Sequence, residues 1–154
     1  IYDLFAGRGI SKPIKTANNA EVMEQLIEAV KSDKDHALIF ANLVDFDQLW
    51  GHRNDEKNFA RSLEEFDISF ADLLAALRED DLLIITADHG CDPTIKSSTD
   101  HSREYVPLLV YGHAIKGGLN LGTRETFADV ASTLSEYFGL GTAFPGRSFY
   151  RELL

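Results

Sequence analysis

One cysteine, Cys91, leaves no partner for an intrachain disulfide, so the fold cannot rest on a disulfide framework. A chain so poor in thiols is expected in a reducing, cytoplasmic compartment. No apolar run approaches the roughly 18–20 residues that would span a bilayer. Nothing at the start has the make-up of a secretory signal, and no membrane partner is expected. Positive charge is also scarce, with 15 Lys and Arg against 25 Asp and Glu and a formal net charge of −10. Nucleic acid is gripped mainly through clustered Lys and Arg, so a nucleic-acid partner is not expected. A chain this acidic that handles phosphate needs bound cations to offset the repulsion. The only methionine is Met23 and the chain begins at Ile1, so it reads as a piece or processed product of something longer.

What remains is ordinary for a soluble globular protein. Apolar residues make up 44% and charged residues 26% of 154, enough for one domain with a real core. Ile1-Tyr2-Asp3-Leu4-Phe5 reads as a short strand, with Gly7 and Gly9 turning the chain. Asn18 or Asn19 caps a helix over about 20–31, where Val22, Leu26, Ile27 and Val30 recur at helical spacing. Ala37 to Val44 is an almost unbroken apolar run, the signature of a strand covered on both faces. Asn54, Asp55 and Glu56 start a second helix. Its stripe is Phe59, Leu63, Phe66, Phe70, Leu73, Leu74 and Leu77, and it ends near Arg78. Leu82–Ala87 and Val106–Tyr111 read as two more buried strands. Thr123 caps a last helix with Phe127, Val130, Ala131, Leu134 and Phe138 as its apolar face, stopped by Gly139. Alternating elements with continuous apolar strands predict an α/β layered sheet with helices on both faces.

Two segments end abruptly in carboxylate and imidazole. One is Asn42-Leu43-Val44-Asp45-Phe46-Asp47-Gln48-Leu49-Trp50-Gly51-His52. The other is Ile84-Ile85-Thr86-Ala87-Asp88-His89-Gly90, followed by Thr99-Asp100-His101. In α/β sheets ligands gather beyond the carboxyl ends of strands, where Asp47 and Asp88 both fall. Asp45 and Asp47 share strand parity. Gly51 allows a tight bend before His52, and Gly90 allows the bend that would bring Asp88 and His89 to one place. Carboxylate oxygens and imidazole nitrogens together suit divalent ions such as manganese or zinc. The bland readings stand beside this one. Asp45 orients a histidine or Arg53, and Asp100 supports His101. Asp92 and Thr94 shape their loop, Arg53 and Arg103 form structural ion pairs, Trp50 packs, Cys91 is neither ligand nor nucleophile, and His36 and His113 lie on the surface.

At these residues the chain resembles a known family. NLVDFDQLWGHR, ITADHGCDPT and STDHSREYVPLLVYG are similar to the metal-binding segments of the phosphopentomutases, within the alkaline phosphatase superfamily. The resemblance runs through the whole chain, from IYDLFAGRGI to RETFADVASTL. It implies a partial alkaline-phosphatase-like core, residues 1–154 being the carboxyl-terminal part of the metal-binding domain, without the amino-terminal core segment and the cap. The implied parent activity moves a phosphoryl group between C1 and C5 of ribose or deoxyribose, through a phosphothreonine enzyme and a sugar bisphosphate. Asp47, His52 and His101 resemble the ligands of one manganese, and Asp88 and His89 ligands of the other. The nucleophilic threonine falls outside this chain, so the chain alone is expected to be inactive. The loop from His89 to His101 is one residue longer than the family pattern, through Lys96-Ser97-Ser98. Two alternatives stay open: another phosphomutase or phosphatase of the superfamily, and a non-catalytic fragment that self-associates through unpaired strand edges or an apolar face.

Overall fold

Every helix in this chain begins where a side chain or a turn can take up the first free backbone N–H groups. The structure, a computed structural model, describes residues 1–32, 37–141 and 143–154. His36, expected at the surface, lies outside the described residues. Helix α1 (Asn19–Ser32) follows Asn18, whose Oδ1 accepts from the Glu21 N–H at 2.9 Å. Glu21 reaches back to accept from the Ala17 N–H at 2.6 Å, a near relative of the capping box. Helix α2 (Glu56–Ala76) is capped by Asp55, which accepts from the N–H of Asn58 at 3.1 Å and from its side-chain amide at 2.7 Å. Those bonds hold the Asp55 carboxyl below its usual range.

The chain divides into two units. The first comprises 1–78 and 85–109, and the second 79–84 and 110–154. In the first, α1 packs on α2, and the buried apolar side chains are Val22, Met23 and Leu73. The expected α2 stripe is only partly covered, since Leu63 is exposed. Phe66 and Phe70 stack one turn apart, with centroids 5.3 Å apart. Strands β1 (Leu83–Thr86) and β2 (Leu108–Tyr111) pair as a two-stranded sheet. The α/β class therefore holds, with β1 and β2 inside their expected ranges.

Two expected strands do not form. Residues 37–43 form no strand ladder, and Leu38 and Phe40 are more than 60% exposed. An apolar run predicts a buried strand only if neighbouring strands supply its hydrogen bonds, and among the described residues none does. Ile1–Phe5 curls into a turn instead, with the Phe5 N–H on the Ile1 carbonyl at 3.1 Å and the Gly7 N–H on that of Tyr2 at 2.9 Å. Gly7 and Gly9 do turn the chain, at φ of 71° and 72°.

The second unit holds α3 (Ala128–Tyr137) and α4 (Tyr150–Leu153). Helix α3 begins five residues after Thr123, its first N–H taken by Thr126 Oγ1 at 3.2 Å, and it stops at Gly139, φ 64°. Its fully covered side is polar. Asp129, Thr133 and Ser135 are buried, while Phe127, expected on the apolar face, is 60% exposed. The reason is the returning C-terminal segment. Phe149 and Leu153 are buried with Thr133, whose hydroxyl accepts from the Phe149 N–H at 3.0 Å and donates to the Asp129 carbonyl at 2.7 Å. Asp129 accepts from Arg124 Nε at 2.7 Å and from the Arg147 N–H at 2.8 Å. Burial alone would raise this carboxyl, but those two donors outweigh it and hold it below its usual range. Among the described residues no helix is long and apolar enough to cross a membrane.

Candidate metal centre

The stretch that carries Asp47 is not a strand end. Phe46–Trp50 winds as a π-helical turn and Gly51–Arg53 as a 3₁₀ turn. Wide π turns occur most often at functional sites. This one sets Asp47 and His52, five residues apart, on the same side, with His52 Nε2 3.5 Å from Asp47 Oδ1. The parity argument for Asp45 thereby fails. Asp45 neither orients a histidine nor pairs with Arg53. Its Oδ2 accepts from the Asn19 N–H at 2.7 Å, and its own N–H donates to Asn19 Oδ1 at 3.1 Å, tying the start of α1 to the π turn.

Gly51 is required by close approach rather than by a bend. Its backbone is ordinary helix, φ −59° and ψ −61°, but a Cβ there would collide with Cys91 Sγ and stand 3.1 Å from the Phe46 carbonyl oxygen. Gly90 is hemmed in the same way. Its Cβ would stand 2.9 Å from the Ser102 carbonyl oxygen and from Glu104 N and Oε2, because Gly90 bridges to Ser102. The Cys91 thiol is pushed up by burial and then by the charges of Asp47, Asp92 and Glu104. A thiol so placed stays protonated at neutral pH, which fits packing and not nucleophilic chemistry.

Three imidazoles meet on one oxygen. His52 Nε2 and His101 Nε2 each lie 3.5 Å from Asp47 Oδ1, and His89 Nε2 lies 3.9 Å from it. The rings of His89 and His101 have centroids 3.9 Å apart, and those of His52 and His101 4.8 Å apart. Asp47 Oδ1 is itself buried and has no hydrogen-bond partner. The far sides of two rings are fixed. His52 Nδ1 lies 2.6 Å from the Thr99 carbonyl oxygen and His89 Nδ1 3.0 Å from that of Gly90. A carbonyl only accepts, so each Nδ1 carries a proton, and Nε2 is the ring nitrogen that faces Asp47.

Tetrahedral ligands about 2.1 Å from an ion stand about 3.4 Å apart, close to the separations of His52 and His101 from Asp47. Asp47, His52 and His101 can hold a divalent metal, their ligand atoms all lying within 4.8 Å of one another. Asp88 stands apart from that trio. Its carboxylate is highly exposed and, among the described residues, stands 3.7 Å from Nε2 of His89.

The supporting residues fall largely as the sequence suggested. Asp100 Oδ1 accepts from the His101 N–H at 2.8 Å. Asp92 accepts from the Thr94 N–H and hydroxyl, which closes a local turn and lowers its pKa. His113 is exposed and lies edge-on to Tyr111. Asn54, read from the sequence as part of the start of α2, has a second role that sequence reasoning missed. Its amide reaches the loop that leads to His101, and its left-handed backbone, φ 50°, is the one hint a sequence could carry, since asparagine tolerates that conformation.

The comparisons agree with this chemistry. The family profile of the metalloenzyme superfamily matches residues 5–142. The chain is 52% identical over all 154 of its residues to a phosphopentomutase of Acetivibrio thermocellus, covering 39% of that protein. It is 56% identical to a phosphopentomutase of Carboxydothermus hydrogenoformans, over 99% of this chain and 39% of the relative. A Caldanaerobacter subterraneus phosphopentomutase is 53% identical over 99% of this chain and 38% of its own length. The chain thus spans about two fifths of the length of the curated relatives it matches.

Proposed function

Because the chain belongs to the metalloenzyme superfamily, we propose that it is the carboxyl-terminal part of the metal-binding core of a phosphopentomutase. The parent activity in this reading interconverts pentose 1-phosphate and 5-phosphate, on ribose or deoxyribose, through a phosphothreonine enzyme and a sugar bisphosphate. The observation that carries the reading is the buried, unpartnered Asp47 Oδ1 faced by three imidazole nitrogens.

Asp47, His52 and His101 are the ligands of one divalent ion in this reading, and Asp88 with His89 belongs to a second. Manganese is the proposed metal, with zinc as the competitor that the same donors admit. When bound, the metal supplies positive charge that offsets the charge spread over the oxygens of a transferring phosphoryl group. The residues of this chain do the positioning. Asp47 contributes the anionic oxygen, and the rings of His52 and His89 are oriented by the Thr99 and Gly90 carbonyls. Asp100 steadies the His101 backbone. The net charge of −10 agrees with a site that uses bound cations to admit a sugar phosphate. The nucleophilic threonine and the sugar-holding cap belong to other parts of the parent, so this chain alone has no mutase turnover in this reading.

Calorimetric titration with manganese tests this, alongside His52→Ala and His101→Ala. The expected result is binding by the wild type that is lost in both variants. Full binding retained by both variants would overturn the ligand assignment. Turnover of a pentose phosphate by this chain above the His52→Ala background would overturn its inactivity.

A further inference from the structure

We propose that Asn54 is a positioning residue, a clamp that sets the loop carrying His101 against the turn carrying His52; this rests on the ligand reading given above. Asn54 closes the 3₁₀ turn in the left-handed conformation, φ 50° and ψ 36°. From there its side-chain amide donates to two carbonyls of one distant loop, those of Ile95 and Ser98, each at 2.9 Å. Two acceptor oxygens leave no doubt which amide atom faces them, because only the nitrogen can donate to both.

The two hydrogen bonds act on the loop where it matters. Ser98 precedes Thr99, whose carbonyl holds His52 Nδ1 at 2.6 Å. Ser98 Oγ accepts from the Asp100 N–H at 3.0 Å, and Asp100 accepts from the His101 N–H. One asparagine thus starts a short relay that ends on two of the three nitrogens facing Asp47. The nearby Lys96–Glu56 pair, 3.3 Å apart, also joins loop to helix, but both side chains are more than half exposed and such pairs contribute little.

No other residue type does both jobs. Aspartate has the same shape and tolerates the backbone, but it cannot donate and its charge faces two carbonyl oxygens. Glycine tolerates the backbone and offers no donor. Loss of a group that orients ligands typically costs about 10–100-fold in metal affinity.

The test compares wild type, Asn54→Asp, Asn54→Gly and Lys96→Ala, at a temperature where each is folded by circular dichroism. Manganese affinity comes from calorimetry, and the number of coordinated imidazole nitrogens from pulsed electron paramagnetic resonance. Amide hydrogen exchange over residues 95–101 is measured without metal. Asn54→Asp and Asn54→Gly are expected to weaken manganese binding at least 10-fold, to lose one coordinated imidazole, and to exchange faster at Ile95 and Asp100. Lys96→Ala is expected to match the wild type. A merely structural Asn54 would lower the melting temperature while leaving affinity and nitrogen count of the folded protein unchanged, and that result overturns the proposal. Exchange over 95–101 that does not change in either Asn54 variant also overturns it. A wild type that binds no manganese refutes the ligand reading instead, and the exchange measurement then decides the clamp by itself.

Discussion

Asp47→Asn is expected to stabilise the protein without metal and to destabilise it with metal. Asp47 Oδ1 is buried, accepts no hydrogen bond among the described residues, and faces three imidazole Nε2 atoms at 3.5 to 3.9 Å. Leaving a buried acceptor unmade costs about 1–3 kcal/mol. The Asp47 side chain as a whole is 32% exposed, so its other atoms reach water and the low end, about 1 kcal/mol, applies. An amide in the same place can turn its Nδ2 donor toward one Nε2 and so satisfy an atom that the carboxylate leaves without a partner. In chelator the variant should therefore melt about 2–4 °C higher, the shift about 1 kcal/mol gives for a chain of this size. With manganese at about 100 times its dissociation constant, the wild type gains about 2.7 kcal/mol. The variant loses that gain and falls about 2 kcal/mol below wild type. Thermal unfolding followed by circular dichroism, in chelator and then in manganese, reads both signs. A variant that is less stable by the same amount in both media would refute the reasoning and make Asp47 an ordinary structural carboxylate.

Two further outcomes follow from contacts around the site and in the second unit. Gly51→Ala should cost about 1–3 kcal/mol in urea unfolding, because its Cβ meets Cys91 Sγ. Adding Cys91→Ala should recover part of that loss, and strict additivity would show that the two do not touch. Asp129→Ala should cost about 3 kcal/mol, since it strips a buried carboxylate from Arg124. The Asp129 carboxyl titrates below its unfolded value of about 3.9. Its contribution is therefore complete above that value and lost as pH falls through the lower folded value. Urea unfolding from pH 5 to 2 should show a steeper fall for wild type than for Asp129→Asn, and parallel curves would contradict the assignment.

The helices and the carboxylate–imidazole cluster differ in how far the sequence made them legible. The α1 and α2 ranges followed from capping side chains and helical spacing, both of which are local. Strands are not local. The run from Ala37 to Val44 has the composition of a buried strand, yet composition says nothing about which backbone would pair with it, and 37–43 stays unpaired. Asp47 was singled out as a strand-end residue, whereas a π turn and not strand parity points it at His52. Gly51 was read as a hinge when its role is to let Cys91 approach, a contact across 40 residues that no local rule reveals. The buried polar face of α3 was hidden in the same way, because Thr133 and Asp129 look solvent-facing until residues 147–149 return to bond them.

These differences bear on how the metal centre is held together. The α/β argument places ligands at strand ends, so the sheet would fix their geometry. Here the ligand cluster is assembled by two non-strand segments, 46–54 and 88–102. They are joined directly at three levels: Gly51 against Cys91, His52 on the Thr99 carbonyl, and Asn54 on the carbonyls of Ile95 and Ser98. None of the three uses a β ladder. The convergence of His52, His89 and His101 on Asp47 therefore does not depend on residues 37–43 finding a partner strand. It depends on small residues and amide donors in loops, where a single lost contact shifts a ligand while leaving the helices folded. Sequence patterning singles out these candidate ligands because carboxylate and imidazole close two apolar runs. It overlooks the residues that hold them, because glycine and asparagine in loops are common and acquire their role only from the segment they meet.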